Sequence, residues 1–186
     1  VSTDYMAMYD EAVANGLNEG NVVYVGSAVP TSFGSIINTF SWKQLEMAVN
    51  ISYKLGYYFQ KPSLSYSGLV SQGSCNKEYA DRWQKPGDEL ITNVPSFVYP
   101  VDSWRDAFYT SSEINVLKGD NLRLQYINIS YLIPKKNKSM FEQVRLFVNA
   151  ANLGILWRAN KQKIDPDYPG AIPPPRSYSF GINANF

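Results

Sequence analysis

Few side chains here can do bond-making chemistry. The chain has 186 residues, no His and one Cys. Cys75 sits among Gln72, Gly73, Ser74 and Asn76 with no imidazole to activate its thiol, so it reads as a loop residue rather than a nucleophile. Standing alone, it also gives no internal disulfide framework. Asp165 and Asp167 offer hard oxygens to a cation, but Asp-Pro-Asp is a common turn and the remaining ligands of a Ca²⁺ site are missing. Asp10 and Glu11 read as a solvated helix face, and Lys135, Lys136 and Lys138 as a solvated turn. No phosphate loop, metal-ligand cluster or nucleophilic triad is present, so neither catalysis nor a cofactor is expected. Binding chemistry is better supplied. Residues 60–121 hold Tyr79, Arg82, Trp83, Tyr99, Asp102, Trp104, Arg105, Asp106 and Tyr109. Such aromatic faces stack on a ligand, and such charged groups hydrogen-bond to it. The plainer reading is that the same residues fold this stretch onto itself, because a long structured loop needs its own packing.

The composition says what must carry this loop. Hydrophobic residues make up 45%, aromatics 15% and charged residues 18%, with a net charge of +1. Charge is low beside the about 25% usual in soluble proteins. The near-neutral balance gives no reason to expect nucleic acid. Eleven Pro and twelve Gly fit turns and long loops better than a helix bundle. No apolar run approaches the ~18 residues of a membrane-spanning helix. The start, Val1-Ser2-Thr3-Asp4, is neither a Met nor a signal peptide, so a processed or cut piece of a longer protein is expected.

Period-two alternation dominates the rest. Residues 1–34 are mixed, with a short helix over 5–17, a stop at 18–21 and a short strand at 22–25. Residues 35–59 read as a hairpin: a strand over 35–41, a turn at 42–44, and a long strand over 45–59. Leu45, Met47, Val49, Ile51, Tyr53, Leu55, Tyr57 and Phe59 line one side of that strand. Glu46, Asn50, Ser52 and Lys54 lie on the other. Residues 60–121 form a long loop with little periodicity. Residues 122–153 give a second hairpin around a basic turn, with a phase shift near Tyr126 that predicts a β-bulge. Phe147 is the one large apolar residue on its polar side. A loop follows over 154–175, then a last strand over 176–186. Tyr178, Phe180, Ile182, Ala184 and Phe186 face one way there, and Ser177, Ser179, Gly181, Asn183 and Asn185 the other.

Three features favour a transmembrane β-barrel over a soluble all-β carbohydrate-binding sandwich. The charges inside the strands, Glu46, Lys54, Arg123 and Arg145, all fall on the polar phase. A Lys or Arg facing lipid at mid-bilayer costs about 2–4 kcal/mol. Connections alternate short and long, as periplasmic turns and extracellular loops do. Aromatics gather near strand ends like interfacial girdles: Tyr57, Phe59, Tyr126 and Tyr178 at one level, Trp42, Tyr131, Phe141 and Phe186 at the other.

The ordered pieces resemble a family. They are Asn38–Lys43, Gly56–Phe59, Arg82–Glu89 with Val94-Pro95, Asn121–Pro134, Val144–Leu153, Asp165–Tyr168 and Pro175–Phe186. In this order they resemble the C-terminal part of SusC/RagA-type TonB-dependent outer-membrane transporters of Bacteroidetes. The resemblance implies an all-β fold: the C-terminal antiparallel strands of a barrel of about 22 strands, with long extracellular loops. It implies a multi-pass protein of the bacterial outer membrane that imports oligosaccharides or peptides beneath a SusD-like surface lipoprotein lid. TonB would act through a plug supplied, with the remaining strands, by another chain or by a further part of the protein. Tyr178, Phe180, Gly181, Ile182 and Phe186 resemble the C-terminal signal of barrel assembly. The aromatic and charged residues of 60–121 would then contact lid or substrate. A passive porin segment is the remaining alternative.

Overall fold

The computed structural model describes residues 4–15, 22–134 and 142–185. The expected helix stop at 18–21, the Lys135, Lys136 and Lys138 turn, Phe141 and Phe186 lie outside them. The chain divides into two compact units, one of Val1–Gly26 with Gln60–Leu117 and one of Ser27–Phe59 with Lys118–Phe186.

The second unit is an antiparallel sheet of five strands: β1 (Ser32–Trp42), β2 (Leu45–Leu55), β5 (Asn121–Ile133), β6 (Gln143–Arg158) and β7 (Ser177–Asn185), in the order β1-β2-β5-β6-β7. Between them in sequence, β3 (Tyr58–Gln60) and β4 (Val116–Lys118) form a separate two-stranded ribbon. The sheet is open and all of its ladders are antiparallel, the arrangement of part of a barrel wall.

The register gives the sheet one apolar and one polar face. Across one level of the apolar face run Asn38, Val49, Ile127, Ala150 and Tyr178; across the next run Phe40, Met47, Ile129, Val148 and Phe180. On the polar face Glu46 opposes Ser130, Asn128 opposes Asn149, Arg145 opposes Asn183, and Arg123 opposes Ser52. The four strand charges therefore share one side. The apolar side is uncovered: Phe180 is 85% exposed, Trp42 70% and Phe40 58%. A sandwich core would bury such residues beneath a second sheet.

The phase shift near Tyr126 is a bulge. Asn50 pairs with Tyr126 and Ile51 with Leu124, so Gln125 is the extra residue and donates to Ser52 Oγ at 2.7 Å. Phe147 lies on the polar face because its partner there is Gly181; a Cβ at Gly181 would sit 2.6 Å from the Phe147 ring. The aromatic ring covers the glycine across the strands.

Several elements depart from the sequence reading. Residues 22–25 form no strand. The long strand expected over 45–59 breaks at Gly56, whose φ is +74° and whose amide donates to Asp120 Oδ1 at 2.7 Å. That break removes Tyr57 from the aromatic-girdle set: Tyr57 is 5% exposed and its hydroxyl accepts from Asn121 Nδ2. Tyr126 leaves it too, because the bulge turns it to the polar face opposite Asn50 and Ala151. The strand expected to end at 153 runs on to Arg158, through Asn152 (φ 56°) and Gly154 (φ 112°). Those two conformations interrupt the alternation that a period-two reading follows.

The first unit fills the stretch read as loop. Helices α1 (Tyr5–Asn15), α2 (Tyr66–Gln72) and α3 (Ser103–Thr110) join single 3-10 turns at Lys77–Asp81, Asp88–Leu90 and Glu113–Asn115. Leu64, Tyr66, Val94 and Tyr109 make its core, with Leu69, Tyr79 and Val101 packed against them.

The Phe147–Gly181 contact predicts a directional result. Gly181→Val forces the ring off the strand and costs about 1–3 kcal/mol by overpacking. Thermal unfolding of the purified protein checks this, and adding Phe147→Ala should recover part of the loss.

Candidate functional site

The densest polar constellation of the sheet unit stands on its polar face. Lys54 comes from β2 and Arg123 from β5, and the Asp165-Pro166-Asp167 segment folds back over them. Arg123 Nη2 lies 2.6 Å from Asp165 Oδ1 and 3.0 Å from Asp167 Oδ2, and its Nε donates to Asp167 Oδ2 at 3.2 Å. Lys54 Nζ meets Asp167 Oδ1 at 2.7 Å. The Arg123 guanidinium also lies 5.7 Å from the Tyr168 ring centroid. The side chains of Arg123, Asp165 and Asp167 are each at most one-fifth exposed, whereas that of Lys54 is 43% exposed. Arg123 suits this position because its planar fork serves two carboxylates at once. Asp167 N donates to Asp165 Oδ1 at 3.0 Å, so the same aspartates form the turn and carry the ion pairs.

Asn160 clamps the loop from its other end, donating to Ile164 O and accepting from Ile164 N, both at 2.9 Å. Beside this arrangement opens a cleft of about 670 Å³ into which Lys54, Arg123, Arg158, Lys163 and Arg176 project. Sequence reading placed Lys54 and Arg123 on the polar phase and took the aspartates as a turn. The signal it lacked was the pairing across more than forty positions, which no local pattern records. No group of three or more His, Cys, Asp or Glu is placed to hold a metal among the described residues.

The nine residues singled out in 60–121 all belong to the first unit. Most spend their polar atoms inside it. Asp106, 8% exposed, accepts from Ser67 N at 2.7 Å and Ser65 Oγ at 3.0 Å. Asp102 caps α3 by accepting from Trp104 N. Arg105 donates to Ser96 O and Ser96 Oγ. Arg82 stacks over the Tyr79 ring at 4.1 Å and donates to Tyr79 O. Trp83 Nε1 donates to Glu89 Oε2 at 3.0 Å, which holds the Glu89 carboxyl below the ordinary carboxylate range. Tyr109 is buried and donates to Glu78 Oε2 at 3.1 Å; burial, with the Glu78 charge beside it, pushes its phenol upward, so the donor proton stays in place. Glu78, itself buried, also accepts from Leu64 N and pairs with Lys61. Sequence reading missed it as the polar centre of this unit.

Two of the nine stay available. Tyr99 is 75% exposed beside a cis bond to Pro100, and Trp104 is 38% exposed, tilted against Tyr9 at 5.9 Å. Asp102, Arg105 and Asp106 come together, with Tyr66 and Val98, around a smaller cleft of about 350 Å³.

An open, two-faced antiparallel sheet with charged side chains on one side only is a barrel-wall architecture. Solved structures share it. The fold is similar to a chain of the RagAB peptide importer in the closed-closed state, with a TM-score of 0.61 and 18% identity over 89% of this chain. It is likewise similar to chains of the RagAB peptide transporter (0.60, 19%, 88%) and of the same importer in the open-open state (0.59, 18%, 89%). This chain spans 18% of the length of each of them. No protein-family profile and no curated protein matches the sequence.

The ion pairs predict unequal effects. Arg123→Gln strips both aspartates of their shared partner and costs about 2 kcal/mol of local stability. Lys54→Gln removes a more exposed pair worth about 0–1 kcal/mol. Hydrogen exchange over residues 160–170 should accelerate clearly more in the first variant, and equal rates in the two would refute the ranking.

Proposed function

We propose that this chain forms part of the wall of a bacterial outer-membrane importer barrel of the SusC/RagA type. The observation that carries the reading is the uncovered apolar face of a sheet whose strand charges all lie on the other side. Its strands run from 9 to 16 residues, enough for the ~9–11 that a tilted strand needs to cross a bilayer. With lipid against Phe40, Met47, Ile129, Val148 and Phe180, the exposed apolar area meets a solvent that accepts it. Arg123, Arg145, Glu46 and Lys54 then look into the aqueous lumen. Five strands cannot close, since single-chain membrane barrels begin at about 8, so further strands must meet β1 and β7.

The imported material is a peptide or an oligosaccharide. The likeness to peptide-importer chains favours the peptide, and the stacking aromatics of the first unit serve either. In this reading that unit lies on the extracellular side, where a SusD-like lipoprotein covers the barrel. TonB acts through a plug elsewhere in the assembly. Of the nine residues singled out in 60–121, Tyr99 and Trp104 are the ones that contact substrate or lid, because their rings are exposed.

Two measurements test this. In a Cys75→Ser background, Val148→Cys and Asn149→Cys place thiols on opposite faces of β6. In intact outer membranes a water-soluble maleimide should label Asn149→Cys and spare Val148→Cys until the protein is denatured. Equal labelling of the two would remove the barrel reading. Separately, Tyr99→Ala combined with Trp104→Ala should slow uptake severalfold at unchanged surface abundance. Uptake at the parental rate would remove the contact role.

A further inference from the structure

The cleft on the polar face has an uneven charge balance. Five cationic side chains line it, Lys54, Arg123, Arg158, Lys163 and Arg176, against two carboxylates, Asp165 and Asp167. Both carboxylates are taken by Arg123 and Lys54. Arg158, Lys163 and Arg176 have no carboxylate within ion-pair distance among the described residues. Their positions are fixed by other bonds, one of which engages the Arg158 guanidinium itself. Arg158 ends β6, where its Nη1 donates to Lys163 O. Lys163, at φ 59°, is fixed between that bond and the Asn160 clamp on Ile164. Arg176 directly precedes β7, and Asn152 Nδ2 donates to Pro175 O at 3.2 Å beside it.

Three cations without a carboxylate partner therefore line one concave space, Lys163 and Arg176 exposed and Arg158 half-buried, and an anion placed there meets all three. The cleft volume of about 670 Å³ is in the range of small-ligand sites. Leu153, Ile155, Pro173 and Pro174 line the same space, and apolar walls of this kind concentrate the field of the charges they flank. The aspartate pair sharpens the preference. By occupying Arg123 and Lys54 it leaves the unspent positive charge on the Arg158, Lys163 and Arg176 side alone.

We propose that this cleft binds a carboxylate group of a ligand, received by Arg158, Lys163 and Arg176. The inference rests on the barrel-wall reading only for how the ligand arrives, since the cleft is built wholly within the sheet unit. The carboxylate has two natural sources, the C-terminus of a short peptide and the acid group of a uronate sugar.

Calorimetric titration of the intact, detergent-solubilised assembly separates them. The probes are trialanine against trialanine amide, and a galacturonate trisaccharide against its neutral galactose counterpart. One acid should bind about tenfold more tightly than its neutral partner, and the arm that shows this names the source. Its affinity should fall as salt rises from roughly 0.05 to 0.5 M, while the neutral probe is little affected. Lys163→Gln with Arg176→Gln should weaken the acid about tenfold and erase the difference between acid and neutral probe. Lys163→Arg with Arg176→Lys, which keeps the charge, should retain acid binding and shows that loss in the first variant is not misfolding. Acid and neutral probes binding alike in both arms, or an unchanged acid affinity in the glutamine variant, would overturn the proposal. The maleimide pattern at residues 148 and 149, read on the same protein, reports independently on the barrel wall.

Discussion

One extra residue in β5 sets the chemistry of both faces. A strand alternates with period two, so a slip of one position exchanges its sides. Without the bulge at Gln125, the alternation that places Ile127 and Ile129 on the apolar face would send Arg123 there as well. Leu122 and Leu124 would move to the polar side. Arg123 would then share the side of Ile127 and Ile129, out of reach of Asp165 and Asp167, and both aspartates would lose their common partner. The bulge also leaves Arg123 beside Lys54, since Ser52 opposes Arg123 and Lys54 opposes Asn121. Both cations reach the same two aspartates because this register holds. β6 follows with its own irregularities around Asn152–Gly154 and near Leu156, which keep Arg158 on the polar side opposite Asn121.

That constraint explains why the fold was legible where it was. Leu45 to Leu55 alternates without a fault, and the strand it describes is present at those residues. The fault in β5 was itself legible, because Leu124 and Ile127 are apolar at an odd separation. The far half of β6 was hidden for the opposite reason: Asn152 and Gly154 leave the extended region, so Ile155 to Arg158 fall out of phase. Gly56 deceived differently. Its neighbours keep the alternation to Phe59, while its positive φ and the Asp120 carboxylate end the strand in space.

That residues 60–121 fold onto themselves was legible, but the helices and turns of the first unit were not, and its construction shows why. It is held by polar groups that meet from distant positions. Glu78 gathers Leu64 N, the Tyr109 hydroxyl and Lys61 around one carboxylate, and Asp106 gathers Ser65 and Ser67. Buried polar networks of this kind depend on each member being satisfied and leave no periodic trace. The residue types that announce binding in a sequence, Arg, Asp, Tyr and Trp, are the same ones that build such a network. Only exposure separates the two uses, and here it separates Tyr99 and Trp104 from Asp106 and Tyr109.

The sheet edges complete the physical case for a wall. Among the described residues β1 and β7 each have a neighbouring strand on one side only, and an edge of this kind offers its amides and carbonyls to a further strand. Phe33, Ile36 and Phe40 stand along one edge strand and Tyr178, Phe180 and Ile182 along the other, all more than half exposed. A soluble protein blunts such edges with charge, proline or a covering element, because a flat apolar edge templates aggregation. β1 contains no charged residue and no proline, and neither does β7. An edge left this inviting is tolerable only where another strand occupies it. In a bilayer an open edge is forbidden outright, since no water reaches the backbone there. The features that make this sheet unfit to stand alone in water are therefore those that a closed barrel requires of each of its parts.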